Sequence, residues 1–104
     1  MKVTFEWDRG NELKSYVKHG VSVMEAESVF QDPLRLDFAD PLHSKEEKRF
    51  IALGKSNRPR LLFVAWTLRQ NRVRIISVRS ASKKEKRVYE EKNEARAKRE
   101  RNLS

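Results

Sequence analysis

The chain has 104 residues, 38% hydrophobic and 38% charged, with a formal net charge of +9, enough for one domain with a thin core and large charged faces. It contains no cysteine, which excludes disulfides, thiolate metal sites and a cysteine nucleophile. No apolar run follows Met1 and none approaches a membrane span, so a cytoplasmic protein without a membrane partner is expected.

The charge is unevenly placed. Residues 1–48 hold seven Lys or Arg against ten Asp or Glu, a net of −3, and residues 49–104 hold seventeen against five, a net of +12. An excess of this kind on one half of a small protein is a footprint for a polyanion, most often nucleic acid.

Thr4 to Trp7 is a short β-prone start. Asp8 can cap a helix in which Leu13, Tyr16 and Val17 fall at helical spacing, and His19-Gly20 ends it, with Gly20 as a left-handed cap. Ser22 and Glu25 read as a capping box opening a second helix with Ala26, Val29 and Phe30 inward, stopped by Asp32-Pro33. A short strand is expected over Leu34–Phe38 and another over Lys48–Leu53, ended by Gly54. Ser56 to Pro59 is a turn. Leu61–Trp66 is a continuous apolar run and reads as the central strand, buried on both faces. Gln70-Asn71 connects it tightly to a strand over Arg72–Arg79. Ser82 and Glu85 form a second capping box that opens a basic helix. Beyond Tyr89 the apolar residues nearly vanish, so residues 91–104 read as a basic, fraying helical extension or a tail after a single domain over 1–90. The order predicts an α+β fold: two N-terminal helices and a C-terminal helix packed on a mainly antiparallel sheet.

The residues show no recognisable pattern for several chemistries and supply the groups for one. His19 and His43 are the only histidines and have no ligand spacing, so no metal and no cofactor are expected. The glycines at 10, 20 and 54 are scattered and make no phosphate-cradling loop. No nucleophile elbow is present. Cleaving RNA without a metal requires a deprotonated 2′-OH, stabilised phosphorane charge and a proton for the 5′-oxygen. Arginine forks match phosphate oxygens, and His, Glu, Tyr or Lys can move protons. Arg74 and Arg79 on a strand, Lys83 and Lys84 at a helix start, and Tyr89 two turns on permit such a site. Plainer roles stand beside these: a solvated basic face, Tyr89 with Val88 and Glu85 anchoring the helix, His19 as a helix-end residue, Glu47 and Arg49 as an exposed ion pair, and Trp7 and Trp66 in the core.

Together the segments Phe5-Glu6-Trp7-Asp8, Lys18-His19-Gly20-Val21, Ala26 to Pro33, Glu47 to Gly54, Arg74 to Ala81 and Lys84 to Glu90 resemble the BrnT toxins, in the family's order. The resemblance implies a RelE-like fold and a metal-independent endoribonuclease that arrests translation. It implies mRNA as substrate, on or off the ribosome, and a BrnA-like ribbon-helix-helix antitoxin. Operator DNA would be bound only through the antitoxin complex. Carried over by motif, the candidate catalytic residues are Arg79, Tyr89, Arg49, Glu47 and His19, with Arg79 on the scissile phosphate. The candidate RNA-binding residues are Arg74, Lys83, Lys84 and Arg87. The run Arg96-Ala97-Lys98-Arg99-Glu100-Arg101 departs from the family pattern, which ends soon after the tyrosine. Two other functions fit the same cations: a non-catalytic nucleic-acid-binding module, and a basic module that pairs with an acidic protein.

Overall fold

The computed structural model describes residues 3–6, 20–43, 45 and 47–103. Its strands are β1 (Phe5–Glu6), β2 (Leu36–Ala39), β3 (Arg49–Lys55), β4 (Leu61–Arg69) and β5 (Arg72–Ser80), joined in one sheet in the order β1-β5-β4-β3-β2. β1 runs parallel to β5, and the other pairings are antiparallel. Helix α1 (Val23–Ser28) passes into a 3₁₀ turn (Val29–Gln31), and helix α2 (Lys83–Leu103) follows β5. The expected α+β order is present, with β4 central. The expected helix between Asp8 and His19, and Trp7 with it, lie outside the described residues; Gly20 itself has φ +65°, in the left-handed region. No described helix is long and apolar enough to cross a membrane.

Side chains alternate across a strand, so the sheet has two faces. One carries Ala52, Leu62, Val64, Val73, Ile75 and Val78, packed under Val21, Ala26, Val29 and Phe30. Trp66 joins this layer, stacked on Phe50 at 4.8 Å and edge-on to Phe30 at 5.5 Å. Its Nε1–H has no acceptor among the described residues. The opposite face carries Leu36, Leu53, Leu61, Phe38 and Phe63, covered at one end by Tyr89 and Val88 of α2. Fully burying each large aliphatic side chain is worth about 1.5–3 kcal/mol.

Local chemistry sets the boundaries, with three departures from expectation. Ser22 does cap α1, its Oγ accepting from the Glu25 N–H at 3.2 Å. Glu25 does not close the box: it is 3% exposed and turns its carboxylate to Arg60 and Ser56. A buried carboxylate takes the charged partner over a helix-end amide because the uncompensated charge is the larger penalty. Gly54 does not end β3, which runs on to Lys55. It sits where a Cβ would lie 2.9 Å from Arg35 Cβ and 3.0 Å from Val29 Cγ1, so its role is close approach of backbones. Gly54→Ala is expected to cost about 1–3 kcal/mol through overpacking, read as a lower urea midpoint. Finally, β2 begins at Leu36, two residues later than expected, because Asp32 Oδ1 accepts from the Leu34 N–H at 2.9 Å and holds that stretch in a turn.

The Gln70-Asn71 connection is a two-residue turn with φ +52° and +64°, the positive pair a type I′ hairpin needs. Its register runs Arg69↔Arg72, Leu68↔Val73, Thr67↔Arg74 and Trp66↔Ile75, then shifts so that Ala65 faces Ser77 and Phe63 faces Arg79. Ile76 is the extra residue of a β-bulge. The second capping box is complete: the Glu85 N–H donates to Ser82 Oγ at 3.2 Å and the Ser82 N–H to Glu85 Oε1 at 2.8 Å. α2 continues as helix past Tyr89 to Leu103.

Candidate active site

Arg74 and Arg79 are five residues apart, an odd spacing that in a regular strand points them to opposite faces. The bulge at Ile76 resets the alternation after Ile75. Arg74 faces Thr67, which also faces Arg49 of β3, so these three side chains form one cross-strand row. Arg79 stands two rows along on the same face, opposite Phe63 and Leu53. Between them lies the row Ile51–Ala65–Ser77, with small side chains at its centre and edge. The Cα positions of Arg74 and Arg79 are therefore roughly 13 Å apart along β5, within converging reach of two arginine side chains.

Arg79 and Arg74 are each held by a carboxylate. The Arg79 guanidinium donates through Nη1 to Glu85 Oε1 at 2.8 Å and through Nη2 to Glu85 Oε2 at 2.9 Å, a bidentate fork. Its Nη1 also donates to Ser80 O at 3.1 Å, and its Cζ lies 4.0 Å from the centre of the Phe63 ring. Three hydrogen bonds leave two of the five N–H groups for a ligand. The Arg79 fork holds the Glu85 carboxyl below the usual carboxylate range, against burial, and Glu85 in turn raises Arg79. Arg74 contacts Glu6 of β1 at 3.4 Å, which brings a carboxylate to the arginine face.

The other candidates are placed differently. Glu47, read in its plainer role as a partner of Arg49, pairs with Arg69 at 3.5 Å, two residues beyond the Thr67 that faces Arg49. Lys83, Lys84 and Arg87 are exposed on the first turns of α2, just beyond Arg79. His19 lies outside the described residues, so its place relative to the arginines is not described. Tyr89 is 5% exposed and its hydroxyl donates to Asp32 Oδ2 at 2.7 Å. Burial, with the Asp32 carboxylate beside it, pushes that hydroxyl well above the ordinary tyrosine value. Burial works to raise Asp32, but the Lys55 N–H, the Tyr89 hydroxyl and the Leu34 N–H outweigh it and hold Asp32 below its usual range. Among the described residues no group of three His, Asp or Glu side chains is placed to share a metal ion.

Sequence reading missed Glu6, Asp32 and Phe63. Asp32 read only as a helix stop. The doubled Ile75-Ile76 within an alternating strand was the one local signal of the bulge that brings Phe63 under Arg79.

Residues 7–85 match the family described as "Ribonuclease toxin, BrnT, of type II toxin-antitoxin system". The chain belongs to the BrnT family. The crystal structure of the Brucella abortus ribonuclease toxin BrnT shares the fold, with a TM-score of 0.59 and 22% identity over 79% of this chain and 100% of that one. A sequence search among curated proteins found no significant match. The BrnT match runs from the residue after β1 to the first turn of α2 and contains Arg49, Arg74, Arg79 and Glu85. The greater part of α2 lies beyond it.

Proposed function

We propose that this BrnT protein is a metal-independent endoribonuclease that cuts mRNA, arrests translation and is neutralised by a BrnA-like ribbon-helix-helix antitoxin in the cytoplasm. The observation that carries the reading is the gathering of Arg49, Arg74 and Arg79 on one sheet face over Ala65 and Ser77. A phosphate seated over those small side chains meets guanidinium groups from two strands. The 2′-oxygen attacks phosphorus, the P–O5′ bond breaks, and a 2′,3′-cyclic phosphate and a 5′-hydroxyl result. Arg79 stabilises the phosphorane charge, because its orientation is set before substrate arrives and needs no reorganisation. Arg49 and Arg74 position the flanking phosphate oxygens. A carboxylate or imidazole takes the 2′-OH proton and returns a proton to the departing 5′-oxygen: Glu47, Glu6 and His19 are the candidates. Lys83, Lys84 and Arg87 hold neighbouring phosphates. An antitoxin covering this cationic face would block it by bulk and by charge.

In this reading Tyr89 anchors α2 on the sheet, since a buried hydroxyl already donating to a carboxylate is a poor proton carrier. Tyr89→Phe is expected to cleave RNA at the parent's rate while losing about 1–2 kcal/mol of stability. A rate loss beyond the loss of folded protein would return Tyr89 to proton transfer.

The reading itself is tested with purified protein and end-labelled RNA in excess EDTA. Fragments ending in 2′,3′-cyclic phosphate are expected. Intact RNA with folded protein would overturn it in favour of a non-catalytic binding module.

A further inference from the structure

The second half of α2 belongs neither to the family match nor to the arginine face, yet it is not featureless. Lys92, Arg96 and Arg99 recur at helical spacing and share one face of α2 over roughly 10 Å of rise. That face and β2 enclose a cleft of about 550 Å³ lined by Arg35, Asp37, Phe38, Lys92, Arg96 and Arg99 among others. Its four cations face one carboxylate, Asp37, which already pairs with Arg35 at 3.3 Å. The cleft is built rather than incidental. Asn93 Nδ2 donates to Leu34 O at 3.0 Å and Arg96 Nη1 reaches Pro33 O at 3.5 Å, fixing the helix against the approach to β2. Lys92 Nζ sits 5.8 Å from the centre of the Phe38 ring.

Phe38 gives the cleft its direction. It stands in the row Phe38–Ile51–Ala65–Ser77, the row that floors the space between Arg79 and Arg74. Phe38 thus belongs both to the lining of the cleft and to the middle row of the arginine face. A strand whose phosphate lies over Ala65 and Ser77 needs only to cross Ile51 to reach Phe38, and beyond it the cations of α2.

We propose that the cleft between α2 and β2 is an accessory groove for the RNA strand, with Lys92, Arg96 and Arg99 on its phosphates and Phe38 as a platform for one base. The proposal rests on RNA being the substrate of the arginine face. A run of cations along one wall with an aromatic ring in the floor suits a single-stranded nucleic acid, which pairs backbone charge with base stacking. An acidic peptide would use the cations but has no need of the ring or of the continuity with the arginine face.

The test compares the parent with Lys92→Ala/Arg96→Ala/Arg99→Ala. The helix should persist, since alanine is the strongest helix former and all three positions are exposed. The probes are 2′-O-methyl oligoribonucleotides, which cannot undergo attack by the 2′-oxygen, in a long (about 16-nucleotide) and a short (about 4-nucleotide) form spanning common single-strand site sizes. For the long probe the variant is expected to lose affinity at least about tenfold at low salt, with a log–log salt slope shallower by about 2, from three lost phosphate contacts. Its affinity for the short probe and its cleavage of short RNA should match the parent's. An unchanged long-probe affinity and slope, in a parent that cleaves RNA, would overturn the groove alone. A folded parent that neither binds nor cleaves RNA would overturn the RNA reading and the groove with it. Loss of binding to an oligoglutamate peptide, with long-probe binding intact, would overturn the groove by assigning it to an acidic protein partner.

Discussion

Arg79→Ala should lower the rate of RNA cleavage by roughly a hundred- to a thousandfold and abolish growth arrest on induction, in a protein that remains folded. The magnitude is that of removing one preorganised donor from a developing oxyanion. The substitution removes a bidentate ion pair to Glu85, but the Arg79 side chain is 40% exposed and solvent weakens the pair. Glu85 keeps its second role, since the Ser82 N–H still donates to its carboxylate. The expected stability loss is therefore at most about 1 kcal/mol, far short of unfolding the domain. Arg79→Lys should fall between the two. It keeps the charge and loses the fork, so both the Glu85 clamp and a bidentate phosphate contact go. Initial rates on end-labelled RNA, beside thermal melts of all three proteins, decide it. An Arg79→Ala protein that cleaves as fast as the parent would remove Arg79 from the reaction.

The largest effect on stability is expected at Glu25, remote from the arginine face. Its carboxylate accepts from Arg60 Nε and Nη2 and from Ser56 Oγ at 2.7 Å, and Arg60 Nη2 also donates to Gly20 O at 2.9 Å. This cluster ties α1 to the loop between β3 and β4. Removing one partner of a buried pair leaves the other poorly satisfied, and such losses run to about 3–5 kcal/mol. Arg60 is 37% exposed and can return to water, so Glu25→Ala should sit near the lower end, about 3 kcal/mol. That is a drop in Tm of roughly 10–20 °C for a domain of this size.

The same cluster makes stability depend on pH in a definite direction. The Arg60 hydrogen bonds outweigh burial and hold Glu25 below its ordinary value in the folded protein. The unfolded chain takes up the proton first as pH falls. The contribution is thus complete at neutral pH, declines once pH drops below about 5, and is gone below the folded value. Asp32 and Glu85 are lowered too and act in the same direction. Urea midpoints of the parent should fall steadily on acidification, and Glu25→Gln should show a shallower fall. Parallel curves would mean that Glu25 is not one of the groups responsible.

Much of this protein was legible in its sequence because the signals are local. The α+β order, the central apolar strand, the hairpin at Gln70-Asn71 and the cap at Ser82–Glu85 each depend on residues within a few positions of one another. So does the concentration of cations after residue 48, and with it the reading of a polyanion partner. The Ser22–Glu25 pattern shows where this fails. The spacing is that of a capping box, but Arg60, 35 residues away, offers the buried carboxylate a charged partner, and nothing near Glu25 announces it. Gly54 likewise reads as punctuation until Arg35 and Val29 are seen to crowd it.

Local signals along the chain suffice for the order of the described strands and helices and for the presence of Arg49, Arg74 and Arg79. Only the tertiary structure decided that the three share a face. In a strand of strict period two, Arg74 and Arg79 diverge. One unpaired residue, Ile76, reverses the alternation, and the pairing that leaves it unpaired is set by packing Val73, Ile75 and Val78 together into the core. The spacing of those three apolar residues is what the bulge serves. The convergence of the arginines on the opposite face follows from it.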